Sequence, residues 1–223
     1  HNGSIQIAKK LIDVAVSSGA DAVKFQTFKA ENLVCKGMEK ADYQKKNTMN
    51  NESQFEMIKR LELDKKTHYE LVKYCGEKIM FLSTPFDTES IDLLNSLEIP
   101  IFKIPSGEIT NLPFLKKIAG LNKKVILSTG MSTLEEVSTA IKILLKGGLD
   151  KDDLIVLHAT SEYPCPINEV NLLAMNTLGK KFNIKFGYSD HTEGIVVPIS
   201  AVALGASVVE KHFTLDREMD GPD

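Results

Sequence analysis

The sequence predicts a parallel α/β barrel, the (β/α)8 TIM barrel, with its first strand missing from this chain. Short apolar runs alternate with longer segments of helical periodicity along the 223 residues, which is typical of a parallel sheet covered by helices. The chain opens on a helical segment, so a strand is expected before His1, and it brings seven later runs to eight. Polar residues follow every run, at the strand ends where such barrels carry their active sites.

Seven apolar runs rich in β-branched or aromatic residues are the predicted strands. They are Ala22–Phe25, Met80–Leu82, Ile101–Ile104, Val125–Leu127, Leu154–Leu157, Ile184–Gly187 and Ser207–Glu210. The competing architecture is an open doubly wound sheet. No Gly-x-Gly-x-x-Gly turn follows an early strand, so the main signal of a dinucleotide-binding sheet is missing and the barrel is favoured.

The segments between these runs are the predicted helices. They are Ile5–Ser18, Ser53–Leu61, Lys65–Lys78, Thr88–Leu97, Asn111–Ala119, Thr133–Leu145, Asn168–Leu178 and Ile195–Leu204. Ser4 is the expected N-cap of the first, and Ser132 with Glu135 three residues on suggests a capping box for another. Glycines stand where three helices should stop, at Gly19, Gly147 and Gly205.

One stretch departs from the alternation of strand and helix. Residues Asn32–Asn51 are polar and rich in lysine, and they predict an extended loop of a length that is often functional. Apart from that loop, residues 1–223 predict one catalytic barrel domain. Both termini have loop-like sequences, and we expect the domain to be truncated at both ends.

Composition argues against several classes of protein. The net charge of −3 gives no reason to expect nucleic acid or an acidic membrane surface as a partner. No run of about 18 apolar residues and no basic start followed by an apolar run is present, so neither a membrane span nor a secretion signal is visible. Cys35, Cys75 and Cys165 lie far apart without metal-type spacing, which favours a reduced, cytoplasmic setting.

Two lysines stand inside apolar strands. Lys24 and Lys103 would be costly to desolvate there unless each meets an anion. Two lysines and several hydroxyls that converge on one barrel mouth would suit a phosphate group. The alternative is a structural ion pair with Glu108 or Glu210.

Histidines close the last two predicted strands. His191 and His212 would be neighbours in a barrel, and two imidazoles placed there could hold a divalent metal. The alternative is an ordinary hydrogen-bonded role. His158 fits the core and the site equally well, and His68, on a helix, is expected at the surface.

Seven segments run in order along the whole chain and carry a resemblance to a known family. They are Gly19–Thr27, Phe81–Phe86, Lys103–Glu108, Ile126–Met131, Thr160–Pro164, Gly187–Thr192 and Glu210–Arg217. Together they resemble the catalytic barrel of the N-acetylneuraminate (sialic acid) synthase family. The resemblance implies a (β/α)8 enzyme that condenses phosphoenolpyruvate with an N-acetylated aminohexose and water and releases phosphate. For sialic acid that sugar is N-acetylmannosamine, and a divalent cation, Mn²⁺ or Mg²⁺, is implied as cofactor.

The same resemblance implies roles for individual residues. The implied metal ligands are His191 and His212. The residues implied around phosphoenolpyruvate are Lys24, Lys103, Ser106, Ser128 and Ser189. The implied sugar-side or acid/base residues are Glu108, Tyr163 and Asp223, with weaker substrate-binding assignments for Gln26 and Ser161.

The sequence departs from the family pattern in three places. The family's first strand, which ends in a site glutamate, would precede His1. The family's C-terminal antifreeze-like domain, which caps the partner's site in a domain-swapped homodimer and supplies an arginine to the sugar, is absent from this sequence. Ala159 stands where a cysteine is expected.

Other functions remain open from the sequence. Legionaminic acid synthases and spore-coat polysaccharide synthases share these motifs and differ in the sugar. A synthase of a 3-deoxy-sugar acid would need a second basic cluster for a phosphorylated aldose, and no such cluster is evident in the sequence. A non-catalytic barrel that binds sugar phosphates would have no need of His191, His212 and Glu108 together.

Overall fold

The computed structural model describes residues 1–35, 37–40, 44–45, 48, 52–219 and 221. All seven predicted strands are confirmed. They are β1 Ala22–Thr27, β2 Met80–Pro85, β3 Ile101–Ile104, β4 Lys124–Ser128, β5 Leu154–Ala159, β6 Lys185–Asp190 and β7 Val209–Lys211. The α-helices of the described residues are α1 Ile5–Ser17, α2 Ala30–Leu33, α3 Gln54–Leu61, α4 Lys65–Cys75, α5 Thr88–Ser96, α6 Leu112–Ala119, α7 Leu134–Lys146, α8 Leu173–Phe182 and α9 Val196–Ala203.

The chain divides into two compact units, each with its own parallel sheet. The first unit is His1–Ile99 with Thr214–Asp223, and the second is Pro100–Phe213. The first holds β1 paired with β2, and the second holds five strands in the order β3-β4-β5-β6-β7. Parallel strands with intervening helices confirm the α/β class. The single closed barrel stays a prediction.

In the second unit, the strand register separates two faces of the five-stranded sheet. Ser189 pairs with Glu210 and Asp190 pairs with Lys211 across β6 and β7. Because neighbouring residues of a strand point to opposite faces, the first pair lies on one face and the second pair on the other. Tyr188 shares the face of Asp190 and is fully buried with residues of α8 and α9. The face of Ser189 is therefore the one turned away from those helices.

The two strands of the first unit separate their side chains in the same way. Lys24 and Gln26 alternate with buried residues along β1. Gln26 is the register partner of Thr84 on β2. On the opposite face, Phe25 stacks on Phe81 with ring centroids 5.4 Å apart. Lys24, Gln26 and Thr84 thus share the face opposite that aromatic pair.

The predicted surface position of His68 is wrong. His68 lies on α4, and its side chain is fully buried. Its Nε2 atom is 2.7 Å from the Thr27 hydroxyl at the end of β1. That hydroxyl is also 2.7 Å from the hydroxyl of Ser83 on β2. The histidine therefore faces the strands rather than the solvent, because the strand ends offer it buried hydroxyl partners.

Several helix boundaries differ from their predictions. Ser4 caps α1 as predicted, but α7 is capped by Thr133, not Ser132, in a capping box with Glu136. Helix α8 begins at Leu173, after a short 3-10 turn and a left-handed Asn171, so the predicted start at Asn168 is wrong. The left-handed residue prevents one continuous helix across that segment.

Two further predictions from the sequence concern a glycine at a helix end and the extended loop. Gly147 ends α7, where a Cβ atom would clash with Ala119 on α6, so the close approach of two helices needs this glycine. In the predicted extended loop Asn32–Asn51, residues 36, 41–43, 46–47 and 49–51 lie outside the described residues. The first two residues of that stretch are the end of the short helix α2, which the sequence did not predict. Among the helices that the structure describes, none is long and apolar enough to cross a membrane.

Candidate active site

Lys103 is the centre of a polar network in the second unit. It lies on β3 with 4% exposure, and its Nζ atom donates a 2.8 Å hydrogen bond to the Ser128 hydroxyl at the end of β4. The same Nζ atom is 3.4 Å from Oε1 of Glu210 on β7. Glu210 also accepts a 2.7 Å hydrogen bond from the hydroxyl of Ser189. Four of the five strands thus meet at one cluster of two hydroxyls, an ammonium and a carboxylate.

The structure shows for Lys103 the ion pair that the sequence left as the alternative to a phosphate ligand, and it selects between the two candidate carboxylates. Glu210 is its partner, with a side chain that is 16% exposed. Glu108 follows β3 in a short 3-10 helix, where it accepts a 2.6 Å hydrogen bond from Asn111. No hydrogen bond within the described ranges joins Glu108 to the network. A desolvated lysine needs a nearby negative charge, and Glu210 supplies it.

His191, Tyr163 and His212 form an aromatic cluster beside this network. The rings of Tyr163 and His191 stack with centroids 4.1 Å apart. The rings of His191 and His212 lie edge to face at 5.4 Å. Ser189 lies next to both groups, because its hydroxyl donates to Glu210 and lies 3.5 Å from His191 Nε2. The structure therefore brings the two predicted metal ligands together.

The hydrogen bonds of His191 fix which ring nitrogen carries the proton. Nδ1 lies 2.5 Å from the carbonyl oxygen of Thr160, and a carbonyl can only accept, so Nδ1 is the donor. Nε2 then accepts from the Tyr163 hydroxyl, 3.0 Å away. Burial lowers the pKa of His191 below its ordinary value. A neutral ring with an Nε2 lone pair is the form that binds metals.

The geometry of the two histidines fits a shared divalent cation. Two imidazoles bound to one cation through metal–nitrogen bonds of about 2 Å have ring centres roughly 5 Å apart. The centroid distance of 5.4 Å between His191 and His212 agrees with that spacing. In the part of the chain that the structure describes, no group of three or more His, Cys, Asp or Glu residues is placed to hold a metal. The two histidines would therefore supply only part of a coordination shell, as in metal sites that keep positions for water and substrate.

Two further predicted serines lie around Gly130, which follows β4. A Cβ atom on Gly130 would clash with the Ser161 hydroxyl and lie 3.3 Å from the Ser106 hydroxyl. Ser106, after β3, is partly buried, and Ser161, after β5, is exposed. The missing side chain at position 130 leaves space that both hydroxyls use.

In the first unit, Lys24 lies within β1 and Gln26 lies next to its last residue. Their predicted convergence with Lys103 stays a prediction. Thr84, at the end of β2 on the same face, was not singled out from the sequence. It is 2% exposed, and its hydroxyl forms no hydrogen bond with any residue that the structure describes. Because buried hydroxyls are normally paired, Thr84 is an additional candidate ligand contact.

The remaining sequence candidates have different positions. Asp223 lies outside the described residues. His158 is partly buried and pairs with Tyr188 on the face covered by helices; its Nε2 atom is 2.9 Å from the carbonyl of Val170, and burial lowers its pKa. Cys165 is buried in the apolar cluster under β6, consistent with a small packing residue. From the sequence, Glu210 was considered only as an ion-pair partner of Lys103. Its hydrogen bond with Ser189 depends on the pairing of β6 with β7.

Comparisons with known proteins identify the family of this chain. Residues 11–223 match the model of the NeuB family. The chain is 58% identical over 224 residues to N,N'-diacetyllegionaminic acid synthase of Campylobacter jejuni, covering all of this chain and 67% of that relative. It is 52% identical to the Legionella pneumophila enzyme of the same name, covering all of this chain and 64% of that relative. The chain thus spans about two thirds of the length of the relatives it matches.

A solved structure supports the same relationship. The N-acetylneuraminic acid (sialic acid) synthetase of Leptospira borgpetersenii superposes with a TM-score of 0.85 at 34% identity, over 99% of this chain and 72% of that one. A truncated 3-deoxy-D-arabino-heptulosonate 7-phosphate synthase of Thermotoga maritima, at 16% identity and a TM-score of 0.66, shares the fold alone. On the family match and these similarities, the chain belongs to the NeuB family.

Proposed function

We propose that the chain is the catalytic (β/α)8 barrel of an enzyme that condenses phosphoenolpyruvate with an N-acylated aminohexose and water, giving a nonulosonic acid and phosphate. The observation that carries this proposal is the buried Lys103, hydrogen-bonded to Ser128, in a network whose Ser189 lies next to the paired histidines. A phosphate-binding cation beside a metal-type pair is what this reaction requires. The closed barrel is supported by the similarity to the Leptospira enzyme over nearly the whole chain.

The sugar is proposed from the relatives. Those at 58% and 52% identity are named for N,N'-diacetyllegionaminic acid. Their names favour a hexose with two acetamido groups over N-acetylmannosamine, which stays the second candidate. A spore coat polysaccharide biosynthesis protein of Bacillus subtilis is more distant, at 37% identity, so that function is less favoured.

In this proposal, the polar network binds and orients phosphoenolpyruvate. Lys103 and the Ser128 hydroxyl hold the phosphate oxygens through charge-assisted hydrogen bonds. The hydroxyls beside Gly130, from Ser106 and Ser161, extend the set of donors. Holding the phosphate end fixes the direction of the enol methylene carbon, and this orientation lowers the entropic part of the barrier.

The chemical steps then balance with water as the third reactant. The methylene carbon of the enol forms a bond to the sugar aldehyde carbon, and the aldehyde oxygen takes up a proton. Water adds to the phosphate-bearing carbon and loses a proton, and phosphate leaves by carbon–oxygen cleavage. A divalent cation held by His191 and His212 would polarise the aldehyde oxygen as a Lewis acid.

A carboxylate of the chain can accept the proton that water loses. Glu210 is better placed for this role than Glu108, because Glu210 hydrogen-bonds to Ser189 within the network while Glu108 binds Asn111. Acceptance of a proton would also weaken its ion pair with Lys103. We therefore propose Glu210 as the general base in place of the sequence-based assignment of Glu108.

The partners and setting remain proposals from the resemblance. We infer a homodimer for the protein in its natural full length, with no nucleic-acid or membrane partner, in the cytoplasm. The cation, Mn²⁺ or Mg²⁺, is inferred from the histidine geometry and the resemblance together.

The direct test is phosphate release from phosphoenolpyruvate by the protein in its natural full length. We expect release only when a divalent cation and an acylated aminohexose are both present, and fastest with the diacetamido hexose. The double variant His191→Ala with His212→Ala serves as the cation-site control and should release no phosphate above background. Equal phosphate release without sugar, or in excess chelator, would contradict the proposal. A protein that binds phosphoenolpyruvate but never turns it over would instead be a non-catalytic binding barrel.

A further inference from the structure

Strands β6 and β7 are joined by side chains on both faces of the sheet. Ser189 and Glu210 are register partners, and they hydrogen-bond at 2.7 Å on the face of the candidate active site. One residue further along, Asp190 and Lys211 are also register partners. They form a 2.6 Å ion pair on the opposite face, which faces the helices. The two strands are therefore held in register from both sides at their carboxyl ends.

The Asp190 carboxylate is buried, and its hydrogen bonds are made to residues at the carboxyl ends of β6 and β7. Its side chain has no exposed surface, and its Oδ1 atom accepts from the backbone N–H and the hydroxyl of Thr192, at 2.9 and 2.7 Å. Its Oδ2 atom accepts from Lys211. Lys211 in turn donates to the carbonyl oxygen of Thr192 at 2.7 Å. A buried charge with this many partners has a fixed position, and so has the backbone around it.

The position of the pair in the chain gives it a functional consequence. Asp190 directly precedes His191, and Lys211 directly precedes His212. Asp190 precedes His191 and, with Lys211, hydrogen-bonds to Thr192, which follows it, so the residues on either side of His191 in the chain are held together. The distance between the two imidazoles is set by the backbone positions from which they project. Those positions are what the ion pair fixes.

We propose that Asp190 and Lys211 are a positioning pair that sets the spacing of His191 and His212 and thereby the affinity of the cation site. Neither residue touches the cation or a substrate, because both lie on the helix side of the sheet. This inference rests on the proposed cation site of His191 and His212. Residues that orient metal ligands from behind typically change metal affinity by about 10–100-fold when they are replaced.

The direction in which two substitutions change the affinity for Mn²⁺ separates a positioning role from a direct electrostatic effect. Lys211→Met removes a positive charge near a cation site, so a purely electrostatic role predicts tighter Mn²⁺ binding. Asp190→Asn removes a negative charge and predicts weaker binding on the same ground. A positioning role predicts weaker binding for both substitutions, by about 10-fold or more.

The experiment measures Mn²⁺ binding by electron paramagnetic resonance of free Mn²⁺, with the protein in its natural full length. The variants are Asp190→Asn, Lys211→Met and the double substitution. Lys185→Met is the matched control, since Lys185 lies at the other end of β6 and its Nζ atom donates to the carbonyl of Asp152 at 2.8 Å. Circular dichroism at the binding temperature establishes that each variant is folded.

We expect both single variants to bind Mn²⁺ at least 10-fold more weakly than wild type, and the double variant to be no weaker than the worse single one. The control should bind like wild type. Wild-type affinity in folded Asp190→Asn and Lys211→Met, or tighter binding by Lys211→Met, would overturn the positioning role. If wild type itself binds no Mn²⁺, or if His191→Ala with His212→Ala binds as wild type does, the cation site fails and this inference fails with it. Wild-type affinity in the two single variants, or tighter binding by Lys211→Met, would by contrast leave the proposed function intact.

Discussion

His68 joins helix α4 to the ends of β1 and β2 through consecutive hydrogen bonds. Its Nδ1 atom is 2.9 Å from the carbonyl of Asp64, which can only accept. Nδ1 therefore carries the proton, and Nε2 accepts from Thr27, whose oxygen accepts from Ser83. These bonds lie behind Gln26 and Thr84, which project from the opposite face of the same strands. A surface position could not supply such a network.

The burial of His68 predicts a pH dependence of stability. Burial lowers the pKa of His68 from its ordinary value of 6.5, so below that pH the unfolded chain binds more protons than the folded one. The stabilisation is then full above pH 6.5 and is lost as the pH falls below it. In urea unfolding between pH 7.5 and 5, the free energy of unfolding of wild type should fall more steeply than that of His68→Gln.

The same substitution also tests the hydrogen bonds. At pH 7.5, His68→Gln should lower the free energy of unfolding by about 1–3 kcal/mol, because a buried group loses a matched partner. His158 and His191 also have lowered pKa values, but they titrate in both proteins and cancel in the comparison. Parallel pH profiles for the two proteins would contradict the assignment to His68.

For the helices and strands, sequence periodicity predicted which elements exist better than it predicted where they begin and end. Apolar runs such as Val125–Leu127 located every strand, because a strand covered on both faces must be apolar. The strands continue into polar residues, as at Ser128 and Asp190, since backbone pairing does not depend on side-chain polarity. Helix starts shifted for a similar reason: Ser132 and Thr133 are equally suitable caps in sequence, and the backbone conformation selects one.

The assignment of Thr133 as the N-cap of α7 can be tested by substitution. The Thr133 hydroxyl accepts from the Glu136 N–H at 3.3 Å, and the Glu136 carboxylate accepts from the Thr133 N–H at 2.7 Å. Thr133→Ala should therefore lower the free energy of unfolding by about 1 kcal/mol. Ser132→Ala is the matched control, because the Ser132 hydroxyl makes a long 3.4 Å contact with the carbonyl of Gly130 and does not cap the helix. A larger loss for Ser132→Ala in urea unfolding would restore the sequence-based cap.

For the whole molecule, the order of elements could be predicted and the pairing of charges could not. Alternating strand and helix predicted parallel sheets, because each crossover needs a helix. For Lys103 the sequence favoured a phosphate ligand and left an ion pair with either Glu108 or Glu210 as the alternative. The choice depends on the pairing of β6 with β7, a contact between distant parts of the chain. Sequence periodicity carries no information about such a contact.

The pairing of Lys103 with Glu210 affects how the site binds its charged ligands. Lys103 is matched by Glu210 at 3.4 Å, so their charges cancel. Phosphoenolpyruvate carries a carboxylate and a phosphate, about two and a half to three negative charges at neutral pH. A balanced ion pair cannot neutralise this charge. The bound divalent cation would supply positive charge beside it, so the two ligands should bind cooperatively.

We therefore expect phosphoenolpyruvate to bind at least 10-fold more tightly in saturating Mn²⁺ than in excess chelator, as measured by calorimetry on the protein in its natural full length. By thermodynamic reciprocity, phosphoenolpyruvate should tighten Mn²⁺ binding by the same factor. Glu210→Gln removes the charge that cancels Lys103, so this variant should bind phosphoenolpyruvate more tightly than wild type in chelator and depend less on the cation. Equal affinity of wild type with and without Mn²⁺ would show that Lys103 needs no added charge, and it would separate the phosphate site from the histidine pair.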